Sequence, residues 1–414
     1  MVAYREDNSP VLGFGKSMKC VYCGASIIEN AFFCSRCGKP TTSPTAHVAA
    51  REAGFSMIEP SGPLNTAAAT GMARDSRASA AGKRIRTLIG HSMPIYSLAF
   101  SPDGRWLASG GLDKTAKLWD TMDGLELRTF KGALYFTCVD FSPDGQWLAL
   151  AATNGSPIND AKLVRNSIDL WDPAHPGDPR SLIGPGGQVF FLKYSPDGRR
   201  LASTDGAAHI NLWDVASGKI VRAIKQSWIR SNLLGGARGS SLAFSPDGRF
   251  LATRSWPVTL WELSSGKEVR TFGPESLSPS VSAFLGFTPD GKSLVEARTN
   301  GTIRTWDVTS GKEEGYLADP QKKSGVIFSL QCAALSSDGR LLAAATVSSG
   351  GERKEKVTLW DLAAGSPVGT LTGFQSCEAL AFSPDGQWLA AGDMYSAGGA
   401  SLGRIRLWQT SEIK

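Results

Sequence analysis

Four cysteines near the amino terminus have the types and spacing that bind a metal ion. Two Cys-x-x-Cys pairs, separated by ten residues, are formed by Cys20 and Cys23 and by Cys34 and Cys37. Two such pairs on facing turns can present four thiolates to Zn²⁺ at the corners of a tetrahedron. A redox dithiol and an iron–sulfur site use the same side chains and stay open as alternatives. Because four cysteines leave no coordination position for water, the spacing predicts one structural zinc ion and no catalytic metal.

Two other groups of residues contain the residue types of a known active or binding site, but they lack the surrounding sequence that such a site requires. The stretch GFGKS at residues 13–17 resembles the end of a phosphate-binding loop, yet Pro10 stands where that motif requires its first glycine. His91, Ser109 and Asp113 are the residue types of a hydrolase triad. The phosphate-binding motif requires a strand before it and a helix after it, and neither is predicted around residues 13–17. The sequence also shows no cluster of acidic, histidine or metal-binding side chains that would converge in a central channel, and we predict that the protein is not an enzyme.

Composition narrows the class of protein. The 414 residues include 46 Gly, 22 Pro and 12 Trp, which favours short strands joined by many turns. The net charge of +6 is spread along the chain, so charge alone does not indicate nucleic-acid binding. Residues 1–19 have no apolar core run, and no apolar segment approaches the ~20 residues that span a bilayer. We therefore expect a cytoplasmic protein that does not enter a membrane.

Two phrases alternate strictly along residues 83–410. The first, Ser-Pro-Asp-Gly or a near copy, and the second, which ends in Trp and usually Asp, each occur seven times. Their aspartates and tryptophans are Asp103, Asp144, Asp197, Asp247, Asp290, Asp338 and Asp385, and Trp119, Trp171, Trp213, Trp261, Trp306, Trp360 and Trp408. Internal repeats of about 40 to 50 residues indicate a solenoid or a propeller.

Each repeat is predicted to form four short strands, a to d. In the first repeat these are IYSLAF, RWLASGG, TAKLWD and LELRTF, and the Pro-Asp-Gly turn joins strands a and b. The seventh repeat ends after its third strand. Residues 83–89, KRIRTLI, resemble in sequence the fourth strand of a repeat, but no first, second or third strand precedes them. We predict that this segment completes the last blade, closes the ring and removes the open edges of the sheet.

The FSPDG…LAS…LWD phrasing resembles the WD-repeat β-propeller family over about 330 residues. The resemblance implies an all-β fold, a seven-bladed propeller of four-stranded antiparallel blades. It also implies that His91, Ser109, Asp113 and Trp119 form a structural hydrogen-bond network and not an active site. The resemblance further implies that the propeller binds partner proteins or peptides. The amino-terminal module is similar to a zinc ribbon, with a glycine after the second cysteine of each pair.

The predicted organisation has four parts. Residues 1–17 are a disordered amino terminus, 18–40 the zinc ribbon, 41–82 a flexible linker rich in Ala, Ser and Thr, and 83–410 the propeller. Cys138, Cys332 and Cys377 all fall on first strands, where we expect small buried side chains.

Long loops predict where a partner binds. Insertions at 153–166, 226–239, 347–356 and 393–404 all lie on the face that carries the b–c and d–a loops. The candidate partner-binding residues on them are Asn154, Lys162, Arg165, Trp228, Arg353, Lys354 and Tyr395. The predicted function is a non-catalytic scaffold or adaptor with the ribbon as an accessory module. The alternative is an adaptor that binds nucleic acid or the ribosome through the ribbon.

Overall fold

The computed structural model describes most of the repeat region and two short pieces near the amino terminus. The described ranges are 18–19, 26–27, 84–132, 135–153, 166–184, 189–205, 209–225, 241–253, 257–273, 282–317, 327–349, 354–397 and 400–413. The chain divides into two compact units, Met1–Arg74 and Asp75–Lys414. In the first unit, strand β1 (Met18–Lys19) pairs antiparallel with β2 (Ser26–Ile27).

The second unit consists of seven four-stranded antiparallel sheets, each one blade. This confirms the predicted all-β propeller of seven four-stranded blades. Blades 1 to 3 contain β4 (Ile95–Phe100), β5 (Trp106–Gly111), β6 (Thr115–Asp120) and β7 (Glu126–Lys131); β8 (Tyr135–Phe141), β9 (Leu148–Thr153), β10 (Asn166–Trp171) and β11 (Arg180–Gly184); and β12 (Val189–Tyr194), β13 (Arg200–Asp205), β14 (His209–Asp214) and β15 (Lys219–Lys225).

Blades 4 to 7 follow the same antiparallel order from first strand to fourth, and a short 3₁₀ helix (Thr410–Glu412) ends the described chain. Their strands are β16 (Leu242–Phe244), β17 (Phe250–Thr253), β18 (Val258–Glu262) and β19 (Glu268–Phe272); β20 (Ser282–Phe287), β21 (Ser293–Arg298), β22 (Ile303–Asp307) and β23 (Glu313–Leu317); β24 (Ile327–Leu335), β25 (Leu341–Ser349), β26 (Lys354–Asp361) and β27 (Ser366–Phe374); and β28 (Cys377–Phe382), β29 (Trp388–Ala397), β30 (Ala400–Gln409) and β3 (Arg84–His91).

The fourth strand of blade 7 comes from the beginning of the propeller sequence. Strand β3 pairs antiparallel with β30, and Leu88 lies opposite Ile405. Its bounds, Arg84–His91, overlap the predicted segment 83–89. Leu88 is buried, whereas the next residue, Ile89, is 62% exposed, so one face of β3 packs into the ring and the other faces solvent.

The tight turns between first and second strands explain why Ser-Pro-Asp-Gly recurs. In blade 1 the Ser101 hydroxyl donates to Asp103 Oδ1 at 2.6 Å, and the same oxygen accepts the backbone N–H of Arg105 at 3.1 Å. Gly104 has φ of +70°, a conformation that costs glycine little and other residues much. Each part of the phrase therefore has a local role in reversing the chain.

The core lies between blades and not inside any one of them. Seven clusters of buried side chains each join two neighbouring sheets in the described residues. In one of them Leu107 and Trp119 of blade 1 pack with Ala390 and Leu407 of blade 7. A single blade leaves these faces in water, so the stability of each blade depends on its neighbours.

Blades 6 and 7 have the longest strands. Strands β29 and β30 have ten residues each and β24, β25 and β27 have nine, compared with at most five in blade 4. Among the described residues, the paired parts of the b–c hairpins are therefore longest in these two blades. Across the described ranges, no helix has the length and apolar character needed to cross a membrane.

Candidate functional site

The structure brings the four predicted network residues of blade 1 together. His91 Nε2 lies 2.7 Å from Ser109 Oγ, and His91 Nδ1 lies 2.9 Å from Asp113 Oδ2. The indole Nε1–H of Trp119 donates to the same Ser109 hydroxyl at 2.8 Å. Asp113 also accepts the backbone N–H of Ser92, at the entrance to strand β4. Three segments of chain, the end of β3, strand β5 and the b–c turn, are thereby tied to β6.

Asp113 is electrostatically set to stay ionised. Its partial burial disfavours the carboxylate, but hydrogen bonds from His91 and Thr115 and the Ser92 N–H outweigh that cost. They lower the pKa of Asp113 to about 2, from an ordinary value of 3.8. A charged acceptor at this point strengthens every hydrogen bond that it receives.

The arrangement has the residues of a hydrolase triad but not the access that a nucleophile needs. Ser109 is completely buried and His91 is 3% exposed, so no substrate carbonyl can approach the Ser109 hydroxyl in this conformation. The hydroxyl is also already used, because it contacts both His91 and Trp119. The chemistry that this geometry supports is the satisfaction of buried polar groups.

Three other blades give the tryptophan indole an acceptor at the same strand position. Ser203 accepts from Trp213 at 2.8 Å and Thr253 accepts from Trp261 at 2.9 Å. In blade 5 the acceptor is the carboxylate of Glu296, 3.2 Å from Trp306 Nε1. Sequence reasoning missed these three, although each acceptor stands two residues after the leucine that pairs with the tryptophan.

The blade 7 position that could carry a histidine is filled differently. The sequence has Phe374 after glycine there, and its ring lies 5.7 Å from that of Trp408 at an angle of 47°. His91 and Trp119 have a similar tilted arrangement at 6.3 Å. An aromatic contact thus replaces the hydrogen bond of blade 1. Ala133 and Pro185, the residues at this position in two further blades, lie outside the described residues.

The first strands line a central cavity of about 1160 Å³. Its charged pair is Asp140 and Lys193 on neighbouring blades, with 2.6 Å between Oδ1 and Nζ. Burial disfavours the Lys193 ammonium, but the Asp140 carboxylate outweighs this and raises the pKa of Lys193. No group of three or more His, Cys, Asp or Glu side chains suited to a metal ion occurs among the residues with described positions.

Two of the three cysteines on first strands are neighbours across blades 6 and 7. Cys332 Sγ lies 3.4 Å from the carbonyl oxygen of Cys377, and burial raises the pKa of the Cys332 thiol well above its ordinary value. Cys138 lies between blades 2 and 3, with its sulfur 3.5 Å from the Leu192 carbonyl oxygen. Burial raises the pKa of Cys138 to about 11. The raised pKa values make the Cys138 and Cys332 thiols poor nucleophiles in this conformation.

One of the candidate partner-binding residues has a described side chain. Tyr395 is half-buried on β29, opposite Leu402, and its ring lies 5.1 Å from the guanidinium of Arg404. Lys354 begins strand β26 opposite Ser348. Asn154, Lys162, Arg165, Trp228 and Arg353 lie outside the described residues. The structure therefore does not place these five relative to Tyr395.

The Arg404 guanidinium beside Tyr395 is held rigidly. Its Nε and Nη2 both donate to Asp393 Oδ2, at 2.9 and 2.8 Å. Asp393 is buried and also pairs with Arg406 at 2.8 Å. Tyr395 and Arg404 thus form a preorganised pair on the β29–β30 hairpin, which has the longest paired strands in the described part of the ring.

The predicted zinc ligands Cys20, Cys23, Cys34 and Cys37 also lie outside the described residues. The short pairing of Met18–Lys19 with Ser26–Ile27 brackets the first Cys-x-x-Cys pair. The zinc ion itself stays a prediction.

Comparison with known proteins identifies repeats of one family. The model for the WD domain, G-beta repeat matches residues 82–120, 124–156, 179–214 and 365–409. The β subunit of a guanine nucleotide-binding protein from Zea mays is 27% identical over 317 residues, 74% of this chain and 80% of that protein. Small ribosomal subunit protein RACK1 from Caenorhabditis elegans is 26% identical over 271 residues, 55% of this chain and 81% of that protein.

A third relative is much longer than the region it shares with this chain. The periodic tryptophan protein 2 homologue of Dictyostelium discoideum is 26% identical over 240 residues, which are 55% of this chain but 23% of that protein. Together with the seven four-stranded blades, the matched repeats support a WD-repeat propeller.

Proposed function

We propose that the propeller is a non-catalytic platform for a protein or peptide partner. The partner binds on the long b–c hairpins of blades 6 and 7. The observation that carries the proposal is the Tyr395–Arg404 pair on the β29–β30 hairpin. Tyrosine and arginine are enriched among residues that dominate binding energy, and rigid presentation lowers the entropy cost of association. Because the Arg404 side chain is only 14% exposed and is held by Asp393, the half-buried ring of Tyr395 supplies the surface that the partner contacts.

The relatives support the same class of function. Two of them are, by name, a subunit of a guanine nucleotide-binding protein and a protein of the small ribosomal subunit, so each is part of a larger assembly. The buried Ser109 and the absence of an accessible triad in blade 1 favour a binding role over hydrolysis. We further propose that the protein is cytoplasmic and that its partner is a protein or peptide.

Affinity purification from the native host tests the partner face, with proteins identified by mass spectrometry. Tyr395→Ala removes the aromatic member of the pair on the hairpin. Tyr316→Ala is the matched control, because Tyr316 on the outer strand of blade 5 is 53% exposed and also lies near an arginine, 5.5 Å from the guanidinium of Arg304. We expect a partner that is retained by Tyr316→Ala and lost from Tyr395→Ala. Equal retention by both variants would overturn the proposal.

We also propose that strand β3 closes the ring and that the amino-terminal cysteines bind one zinc ion. The pairing of β3 with β30 and the burial of Leu88 support the first. The spacing of Cys20, Cys23, Cys34 and Cys37 supports the second. Metal analysis of the purified full chain should find one zinc per chain, and Cys20→Ser with Cys23→Ser should remove it. Iron in place of zinc would overturn the zinc assignment.

The alternative function is an adaptor that binds nucleic acid or the ribosome through the zinc module. Lys16, Lys19, Arg36 and Lys39 surround the cysteines in sequence and supply the positive charge that it needs. The same purification separates the two functions. Nucleic acid that leaves steeply with added salt and with Cys20→Ser, while Tyr395→Ala has no effect, would favour the alternative.

A further inference from the structure

Arginines on the outer strands fasten each of five blades to the blade that follows. In each case the guanidinium donates to a backbone carbonyl in the turn between the third and fourth strands of the next blade. The five contacts, which we term arginine clasps, are Arg86 to Thr121, Arg128 to Asp172 and His175, Arg180 to Ala216, Arg222 to Ser264 and Ser265, and Arg270 to Ser310.

The turn glycine of the receiving blade makes room for the arginine stem. Gly311 has φ of +74°, and a β-carbon added to it would lie 2.9 Å from Cδ of Arg270. At Gly218 the same added atom would lie 3.2 Å from Nη2 of Arg180. The glycine therefore serves both the turn conformation and the close passage of the neighbouring side chain. Outer strand and turn form one repeated joint.

Blades 5 and 6 lack the arginine, because glycine stands at the same strand position. In all five blades that carry a clasp, the arginine lies opposite the leucine before the tryptophan, for example Leu260 opposite Arg270. In blade 5 the corresponding pair is Thr305 and Gly315. A β-carbon on Gly315 would lie 2.7 Å from Thr305 Oγ1, so a larger residue does not fit without movement. In blade 6 Gly369 lies opposite Leu359.

The junction between blades 6 and 7 has substitutes for the missing clasp. Arg406 donates to the Gly373 carbonyl at 3.3 Å, and its guanidinium stacks on Phe374 at 4.0 Å. The backbone N–H of Cys377 donates to the buried Glu355 at 2.7 Å. These are charged contacts between the two blades, and they compensate for Gly369. In the junction between blades 5 and 6, the described residues outside 318–326 show apolar packing and a backbone hydrogen bond from the Leu330 N–H to the Thr299 carbonyl, 2.9 Å.

We propose that the propeller opens preferentially between blades 5 and 6, because Gly315 leaves that junction without an arginine clasp. Local opening occurs where the fewest interactions must break, and a hydrogen bond from a charged donor is stronger than a neutral one. The inference concerns the ring itself and does not depend on the proposed partner face. It makes the blade 5–6 junction a seam through which buried side chains reach solvent.

Two buried positions allow the seam to be compared with a clasped junction. Val295 on β21 packs between blades 5 and 6, and Ala252 on β17 packs between blades 4 and 5, where Arg270 forms its clasp. Each follows the leucine that pairs with its blade's tryptophan, and both are fully buried. Val295→Cys and Ala252→Cys therefore place a thiol at matched sites on the two sides of blade 5.

Native-state labelling with N-ethylmaleimide measures the opening of each junction. The thiol sulfur adds across the maleimide double bond and its proton ends on the neighbouring carbon, so no leaving group is formed. Mass spectrometry of peptides separates the introduced thiols from the native ones. We expect the Val295→Cys thiol to react about tenfold faster than the Ala252→Cys thiol, since one charged hydrogen bond corresponds to roughly that factor in the opening equilibrium.

A third variant tests the cause. Arg270→Gly in the Ala252→Cys background removes the clasp, and we expect the Ala252→Cys thiol then to react about as fast as the Val295→Cys thiol. Equal rates in the two single variants, or no response to Arg270→Gly, would overturn the proposal. Circular dichroism and thermal unfolding verify that each variant folds. If Val295→Cys does not fold, Ala297→Cys serves the same junction, because Ala297 is fully buried in the same cluster.

Discussion

The indole Nε1 of Trp306 donates a hydrogen bond to a carboxylate oxygen of Glu296 at 3.2 Å, where the tryptophans of blades 1, 3 and 4 donate to a hydroxyl. A buried carboxylate is costly unless it is paired, and Glu296 meets that requirement. It accepts from Arg298 Nε at 2.9 Å and from the Ser282 hydroxyl at 2.5 Å. These four blades thus each provide a hydrogen-bond acceptor for the tryptophan indole, which is a hydroxyl in three of them and a carboxylate in blade 5.

Ser109→Ala tests how much the shared acceptor of blade 1 contributes. The change leaves both the Trp119 indole and His91 Nε2 without their partner inside the protein, and we expect a loss of about 2 to 3 kcal/mol in the free energy of unfolding. Ser203→Ala removes one bond, that from Trp213, and should cost about 1 kcal/mol. Urea unfolding of both variants measures the difference. Equal losses would show that the His91 contact adds nothing.

The strands and tight turns could be predicted because each depends on residues close in sequence. Ser101 and Asp103 form their hydrogen bond two residues apart, so the phrase itself contains the turn. The position of Glu296 could not be predicted, because a carboxylate does not resemble serine in sequence although it accepts the same bond. The contact between Cys332 and Cys377 depends on how two blades approach each other, which no local pattern records.

The arginine clasps lie between these cases. Arg128 and Arg270 both precede Thr-Phe on outer strands, and this recurring Arg-Thr-Phe motif can be recognised in the sequence. What the wording does not show is the acceptor, because the carbonyl that receives Arg128 belongs to a turn 44 residues later in the chain. Repeats predict the positions of such residues, and the angle between blades determines what they contact.

Asp113 should make the stability of the ring depend on pH in the acid range. Its pKa is lowered to about 2 in the folded protein, so the unfolded chain binds this proton more readily. The stabilisation is complete above about pH 5 and is lost as the pH falls through about 4 towards 2. The difference in free energy of unfolding between wild type and Asp113→Asn should shrink over that window. Parallel curves from pH 2 to pH 6 would contradict the assignment.

Tyr194→Phe should leave stability unchanged or increase it by about 1 kcal/mol. Tyr194 is buried at the end of β12, and its hydroxyl has no hydrogen-bond partner in the described part of the chain. A buried hydroxyl without a hydrogen-bond partner costs free energy. The change to phenylalanine removes this hydroxyl and keeps the packing of the aromatic side chain. Blade 4 has Phe244 at the equivalent position, opposite Leu251 as Tyr194 lies opposite Leu201. Phe244→Tyr is the reverse control and should destabilise; a marked loss in Tyr194→Phe would contradict the prediction.

Leu88→Asp tests whether β3 holds the ring together. Leu88 is 3% exposed within the cluster that joins blades 7 and 1, so a carboxylate there loses apolar burial and is itself desolvated. We expect a loss of at least about 3 kcal/mol. Ile89→Asp changes the neighbouring residue, which is exposed on the same strand, and should stay within about 0.5 kcal/mol. Thermal and urea unfolding compare the two variants. Similar losses in the free energy of unfolding would show that β3 is not packed into the propeller.

Arg222→Lys tests the geometry of a clasp separately from its charge. Arg222 donates from Nη1 to the Ser265 carbonyl at 2.8 Å and from Nη2 to the Ser264 carbonyl at 3.0 Å, a forked contact that one ammonium group reproduces poorly. We expect Arg222→Lys to cost about 1 kcal/mol and Arg222→Ala about 1.5 kcal/mol. Arg105→Ala, at an exposed turn, should cost less than about 0.5 kcal/mol. If Arg222→Lys matched wild type, positive charge alone would suffice, and glycine at the outer strand would weaken a junction only by removing that charge.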